Sequence, residues 1–173
     1  MQASGQESRI SVMLTIGKKV VYPCQGPCRI DRVIERVIDG KQSLFYQLIV
    51  LDDSGGELFI PAHKAQAIGI RLLLDREEIP KLLQHMKETA RASDTWKQRA
   101  IENSKLLTSG SAFDLAEIVG SLTELKERKG LSPAEIRTLE KARRLLVCEI
   151  AEVLGKTKSA VEEQINIALQ ARE

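Results

Sequence analysis

The apolar residues of this chain change their spacing once, and that change limits the fold more than any other feature. Up to Pro61, Ile, Val and aromatic residues come in short runs broken by turn residues. From Asp75 onward the apolar residues recur at helical spacing. The change falls between residues 62 and 76. The expected fold class is therefore α+β in two domains: a small all-β domain over 14–70 and a compact all-α domain over 75–173. No internal repeat or low-complexity linker interrupts this division.

The first half reads as short strands. Leu14-Thr-Ile-Gly17 leads into Lys18–Pro23, a β-branched run, and a second run covers Cys28–Ile38 and stops at Asp39-Gly40. That dipeptide suits a two-residue hairpin, because both positions tolerate positive φ. Ser43–Leu51 returns as a third strand. Asp52-Asp-Ser-Gly-Gly56 is a second turn, and Glu57–Ile60 is a fourth strand ended by Pro61. Strands this short, closely joined, suggest a small curled barrel rather than one flat sheet with long open edges.

The second half is punctuated by helix caps. A helix is expected from Glu77 to Ala90, with Pro80 in its first turn. Ser93-Asp94-Thr95 precedes a helix over Trp96–Leu107, closed by Gly110. Ser111 starts a helix with Leu115, Ile118, Val119, Leu122 and Leu125 on one face. Ser132-Pro133-Ala134-Glu135 makes a complete capping box, with serine at the cap, proline first and glutamate third. Its helix carries Ile136, Leu139, Ala142, Leu146, Ile150 and Val153 on one side and stops at Gly155. A last helix spans about Lys158–Ala171, with Val161, Ile165, Ala168 and Leu169 inward.

Composition says less about function. The chain has 26 basic and 24 acidic residues among 173, a net charge of +2, which does not mark a strongly basic nucleic-acid binder. No apolar run approaches the roughly 20 residues of a membrane span, and a soluble, cytoplasmic chain is expected. Three cysteines argue against a disulfide framework, and Cys24 with Cys28 lacks the second pair of a zinc site, so no metal or cofactor is expected. Enzyme signatures such as a Gly-rich phosphate loop, His-Glu-x-x-His or Gly-x-Ser-x-Gly are missing, so catalysis finds no support.

Two features suit DNA. Trp96, the only tryptophan, opens a helix beside Lys97, Gln98 and Arg99, with Lys105 further along. Its position fits either packing over a helix junction or an apolar wedge ringed by cations that hold phosphates. Arg137, Lys141 and Arg144 fall at i, i+4 and i+7, a basic stripe opposite the apolar one, interrupted by Glu140. Such a stripe is ordinarily a solvated face.

The blocks Gly17-Lys-Lys-Val-Val-Tyr-Pro23 with Gly26, Ile60-Pro61, Trp96-Lys-Gln-Arg99, Lys105–Gly110, Arg128–Ser132 and Lys141–Val147 stand in one order and spacing. Together they resemble the CarD/CdnL transcription regulators, whose N-terminal module is shared with the transcription-repair coupling factor. The resemblance runs from Leu14 onward. Residues 1–13 have no counterpart in it and are expected to form a disordered extension.

The resemblance implies a Tudor-like barrel that binds the RNA polymerase β subunit, partly by edge-strand pairing. It also implies a helical domain at the upstream edge of the transcription bubble, in a nucleoid-associated protein. There the family's tryptophan, matched by Trp96, wedges into promoter DNA without base-specific readout and slows collapse of the open complex. Arg36 matches a basic polymerase-contacting position, with Phe59, Ile60 and Pro61 forming the rest of that surface. Phe59 stands where some relatives carry arginine. On the DNA side Lys97, Arg99, Lys105, Arg137, Lys141 and Arg144 join Trp96, whereas Gln98, Ala100, Ile101 and Ile136 replace basic or aromatic residues of relatives. The alternative is an adaptor that holds polymerase while its helices recruit another protein.

Overall fold

The computed structural model describes residues 14–88 and 93–171. The extension expected over 1–13 lies outside them, as do the last two residues of the helix expected to reach Ala90. The chain divides into two units, one up to Leu73 and one from Leu74. Among the described residues no helix is long and apolar enough to cross a membrane.

The first unit is a five-stranded antiparallel sheet: β1 (Lys19–Tyr22), β2 (Gly26–Ile38), β3 (Lys41–Val50), β4 (Glu57–Pro61) and β5 (Arg71–Leu72). The order is β4-β3-β2-β1-β5, so β4 and β5 are its edges. The hairpin between β2 and β3 turns on Asp39 and Gly40, whose φ values of 50° and 75° satisfy a turn that only such residues enter cheaply. In the next turn the Asp52 carboxylate accepts from the Ser54 and Gly55 N–H groups at 2.9 and 3.2 Å. Between β4 and β5 lie a 3-10 turn (Ala62–Lys64) and the short helix α1 (Ala65–Ile68). Neither α1 nor β5 is legible in the sequence, because elements of this length span about one period of a hydrophobic pattern and never repeat it.

The core of this unit gathers Val20, Cys28, Ile30, Leu48, Val50 and Ile60. Cys28 is enclosed there, and its burial pushes the thiol up to about 12, against the thiolate that metal ligation needs.

The register of β2 slips between Ile30 and Arg32. Asp31 is the extra residue of this bulge, and it inverts the alternation of everything after it. Ile30 faces the core opposite Leu48, but Arg32 now pairs with Gln47, on the row of Phe59. Arg36 has the same parity as Arg32 and shares that outer face. The far half of the hairpin outruns the core, leaving Val33, Val37, Ile38 and Leu44 exposed.

The second unit holds α2 (Glu78–Glu88), α3 (Trp96–Thr108), α4 (Ala112–Lys129), α5 (Pro133–Leu154) and α6 (Lys158–Gln170). Ile118, Leu122 and Leu125 of α4 meet Leu82 and Met86 of α2, Leu146 of α5 and Ile165 of α6 in one apolar core. Caps decide where the helices begin. The Ser132 hydroxyl accepts from the Glu135 N–H at 3.2 Å, and the Glu135 carboxylate accepts from the Ser132 N–H at 2.9 Å. At α6 the Thr157 hydroxyl alone caps, accepting from the Ala160 N–H.

Helix α5 departs from the one-sided stripe expected for it. Ile136, assigned to the buried side, is 41% exposed, while every residue from Leu145 to Ile150 is buried. The helix therefore starts at the surface, is enclosed over Leu145–Ile150, and is half-buried over its last four residues. Glu149, buried with the rest, accepts from the Leu74 N–H at 3.0 Å at the start of the domain.

Candidate functional site

Trp96 opens α3, and its side chain stands out from the domain at 66% exposure. Of the two readings open to it, packing over a helix junction is ruled out by that exposure. The Lys97 ammonium lies over the indole, 5.7 Å from the ring centroid. A flat apolar ring with a cation beside it is therefore presented to solvent at a helix end.

The expectation for Arg99 needs correction. It is not a surface cation available to phosphate, for its side chain is only 8% exposed. Its Nε donates to Glu135 Oε1 at 2.6 Å, and Nη1 donates to the Ser93 and Asp94 carbonyls at 2.9 and 3.0 Å. The partners of the guanidinium explain this. Trp96 and Arg99, three residues apart, share one side of the helix. Trp96 projects from its end, whereas the Arg99 guanidinium folds back onto the Ser93 and Asp94 carbonyls and meets Glu135 at the start of α5. Helix α3 starts without a side-chain cap. The N-cap Thr95 makes no side-chain cap bond, and the Ser93 hydroxyl bonds the Glu102 carboxylate at 3.0 and 3.1 Å. Burial alone would raise the Glu135 carboxyl. The Ser132 N–H, the Arg99 hydrogen bond and the Arg99 charge outweigh it and hold the group below its ordinary range.

The Arg99–Glu135 pair joins the first turns of α3 and α5. Arg137 lies two residues beyond Glu135, with Lys141 and Arg144 following along α5; Arg137 and Arg144 are exposed and Lys141 half-buried. Lys105 is exposed in the last turn of α3, nine residues and about 13 Å along the axis from Trp96. It does not join the indole. Arg143, between the stripe residues, serves the fold instead: its Nε donates to Glu162 Oε2 at 2.7 Å and its Nη2 to Asn166.

The sheet unit carries the other expected surface. Arg36 lies over the Phe59 ring, 5.9 Å from its centroid, and Pro61 follows on the same face of β4. Ile60 does not belong with them. At 2% exposure it is a core residue, because alternation along β4 turns it inward between Phe59 and Pro61.

With both surfaces located, comparison with known proteins assigns the family. The family model described as "CarD-like/TRCF RID domain" matches residues 14–73, and that described as "CarD, C-terminal domain" matches residues 78–166. The chain belongs to the CarD family of transcription factors. A relative is the "Putative transcription factor YdeB" of Bacillus subtilis (strain 168), 29% identical over 154 residues, covering 87% of this chain and 98% of that protein. Among solved structures, the solution NMR structure of the 72-residue N-terminal domain of Myxococcus xanthus CarD is 32% identical, covers 35% of this chain and 79% of that one, and has a TM-score of 0.30.

For a CarD-family chain, one feature of the helical surface escapes sequence reasoning above all. The buried role of Arg99 has a readable signal in part, since the capping box fixes Glu135 at a helix start where a cation is a natural partner. That the cation is Arg99 depends on how α3 meets α5, which no local pattern encodes.

Proposed function

We propose that the sheet domain docks on the RNA polymerase β subunit while the helical domain contacts promoter DNA at the upstream edge of the bubble, and so prolongs the open complex. The observation that carries this reading is Trp96, an indole exposed at a helix start with Lys97 against its ring. An exposed aromatic of this size costs solubility and adds nothing to the core; wedged against unstacked bases it gains apolar contact. Lys97, Arg137, Lys141 and Arg144 supply phosphate contacts without base readout. On the sheet domain, Arg36, Phe59 and Pro61 form one face beside the edge strand β4, which leaves one side of its backbone for pairing.

A regulator that favours the open state shifts the equilibrium only by its differential affinity. A few kcal/mol of contact made only with melted DNA changes open-complex lifetime by about one to two decades. The test is the dissociation rate of open complexes with the Trp96→Ala variant. Faster dissociation with unchanged binding to the isolated β lobe is expected; an unchanged rate rejects the wedge.

One observation favours a second reading, an adaptor whose helices recruit another protein. Ile101 and Ile136 are 53% and 41% exposed, and apolar exposure suits a protein partner. A salt-dependent crosslink from position 96 to DNA inside the polymerase complex decides against it.

A further inference from the structure

Helix α3 begins without a side-chain cap, yet its first residue is the one the proposed function relies on. The start of that helix is held from elsewhere. Arg99 grips the Ser93 and Asp94 carbonyls with Nη1 and passes its Nε to Glu135. Glu102 holds the Ser93 hydroxyl. The same Glu135 carboxylate closes the capping box of α5 through its other oxygen. One carboxylate thus ties together the starts of two helices, with the exposed indole three residues from the tie.

We infer that Arg99 and Glu135 are positioning residues for Trp96, an arrangement that fixes the backbone beneath the indole so that the ring meets melted DNA already oriented. The inference rests on the wedge reading above. A wedge on a fraying helix end loses conformational freedom at each insertion; one whose base is already fixed loses less. The chemistry of the pair suits the task. A guanidinium offers a planar fork that lysine lacks, so both loop carbonyls and the carboxylate are held in one geometry.

The experiment uses the full chain with RNA polymerase on a responsive promoter. Arg99→Lys keeps the charge and loses the fork. Glu135→Gln keeps an oxygen for the capping box and loses the ion pair. Each is combined with Trp96→Ala in a double-mutant cycle. Open-complex lifetime is expected to fall roughly threefold to tenfold in either single variant, with β-lobe affinity unchanged, and to fall no further once Trp96 is absent. Because Trp96 is the only tryptophan, time-resolved fluorescence anisotropy of the free protein reports its local motion directly, and that motion is expected to increase in both variants. Far-UV circular dichroism checks helix content; if Arg99→Lys unfolds, Glu135→Gln carries the test. Effects on lifetime that add to Trp96→Ala overturn the inference, as does indole motion unchanged in Glu135→Gln. If Trp96→Ala itself leaves lifetime unchanged, the wedge reading fails, and the anisotropy alone decides whether the pair positions the ring.

Discussion

Arg36 on β2 reaches over β3 to lie above the ring of Phe59 on β4, with 5.9 Å between the guanidinium carbon and the ring centroid. Cation and ring together form one exposed feature. If this face docks on polymerase, Arg36→Glu weakens binding to the isolated β lobe by about tenfold or more. The exposed position leaves thermal stability within about 0.5 kcal/mol of wild type. Retained affinity in a titration would move the docking surface elsewhere.

Ile60 gives the opposite pattern. It is enclosed in the sheet core, so Ile60→Ala destabilises that domain by roughly 2 to 4 kcal/mol. Polymerase binding falls only to the extent that the domain unfolds. Denaturant titration alongside binding at low temperature separates the two effects.

The ion pair of Arg99 and Glu135 has a pH signature. The carboxyl of Glu135 is held below its ordinary value in the folded chain. Its contribution to stability is therefore complete above the unfolded value, about 4.3, and is lost as pH falls through the folded one. The stability gap between wild type and Glu135→Gln is present at pH 7 and closes progressively below about pH 4. A gap that stays constant into acid rejects the assignment.

The basic stripe predicts a salt effect. Neutralising Lys141 or Arg137 reduces the salt dependence of open-complex stabilisation by about one unit of slope for each phosphate left without its cation. Arg143→Gln, by contrast, removes bonds to Glu162 and Asn166 and acts on folding. Measuring lifetime across a salt series, with thermal melts of the same proteins, distinguishes the stripe from its neighbour.

Much of the architecture is legible because its signals are local. Asp39-Gly40 marks its own turn, and Ser132-Pro133-Ala134-Glu135 marks its own helix start. Ile118, Leu122, Val161 and Ile165 follow the helical period into the core. Sequence misleads where placement depends on distant contacts. Arg99 is buried because α5 happens to begin beside it, and Ile136 is exposed because α5 enters the core only a few turns later. Ile60 reads as one block with its neighbours, although strand alternation alone separates it from Phe59 and Pro61.

The slip at Asp31 divides the hairpin into two stretches under different constraints. Inside it, each residue must fit Leu48, Val50 and their companions, and tolerates little change. Outside it, Tyr46 still packs on that interior and Gln47 is buried. Val33, Val37, Ile38 and Leu44 face solvent, however, so substitutions at those four positions leave the interior undisturbed. The exposed tip can thereby change its chemistry without cost to foldability, and a single extra residue sets the border.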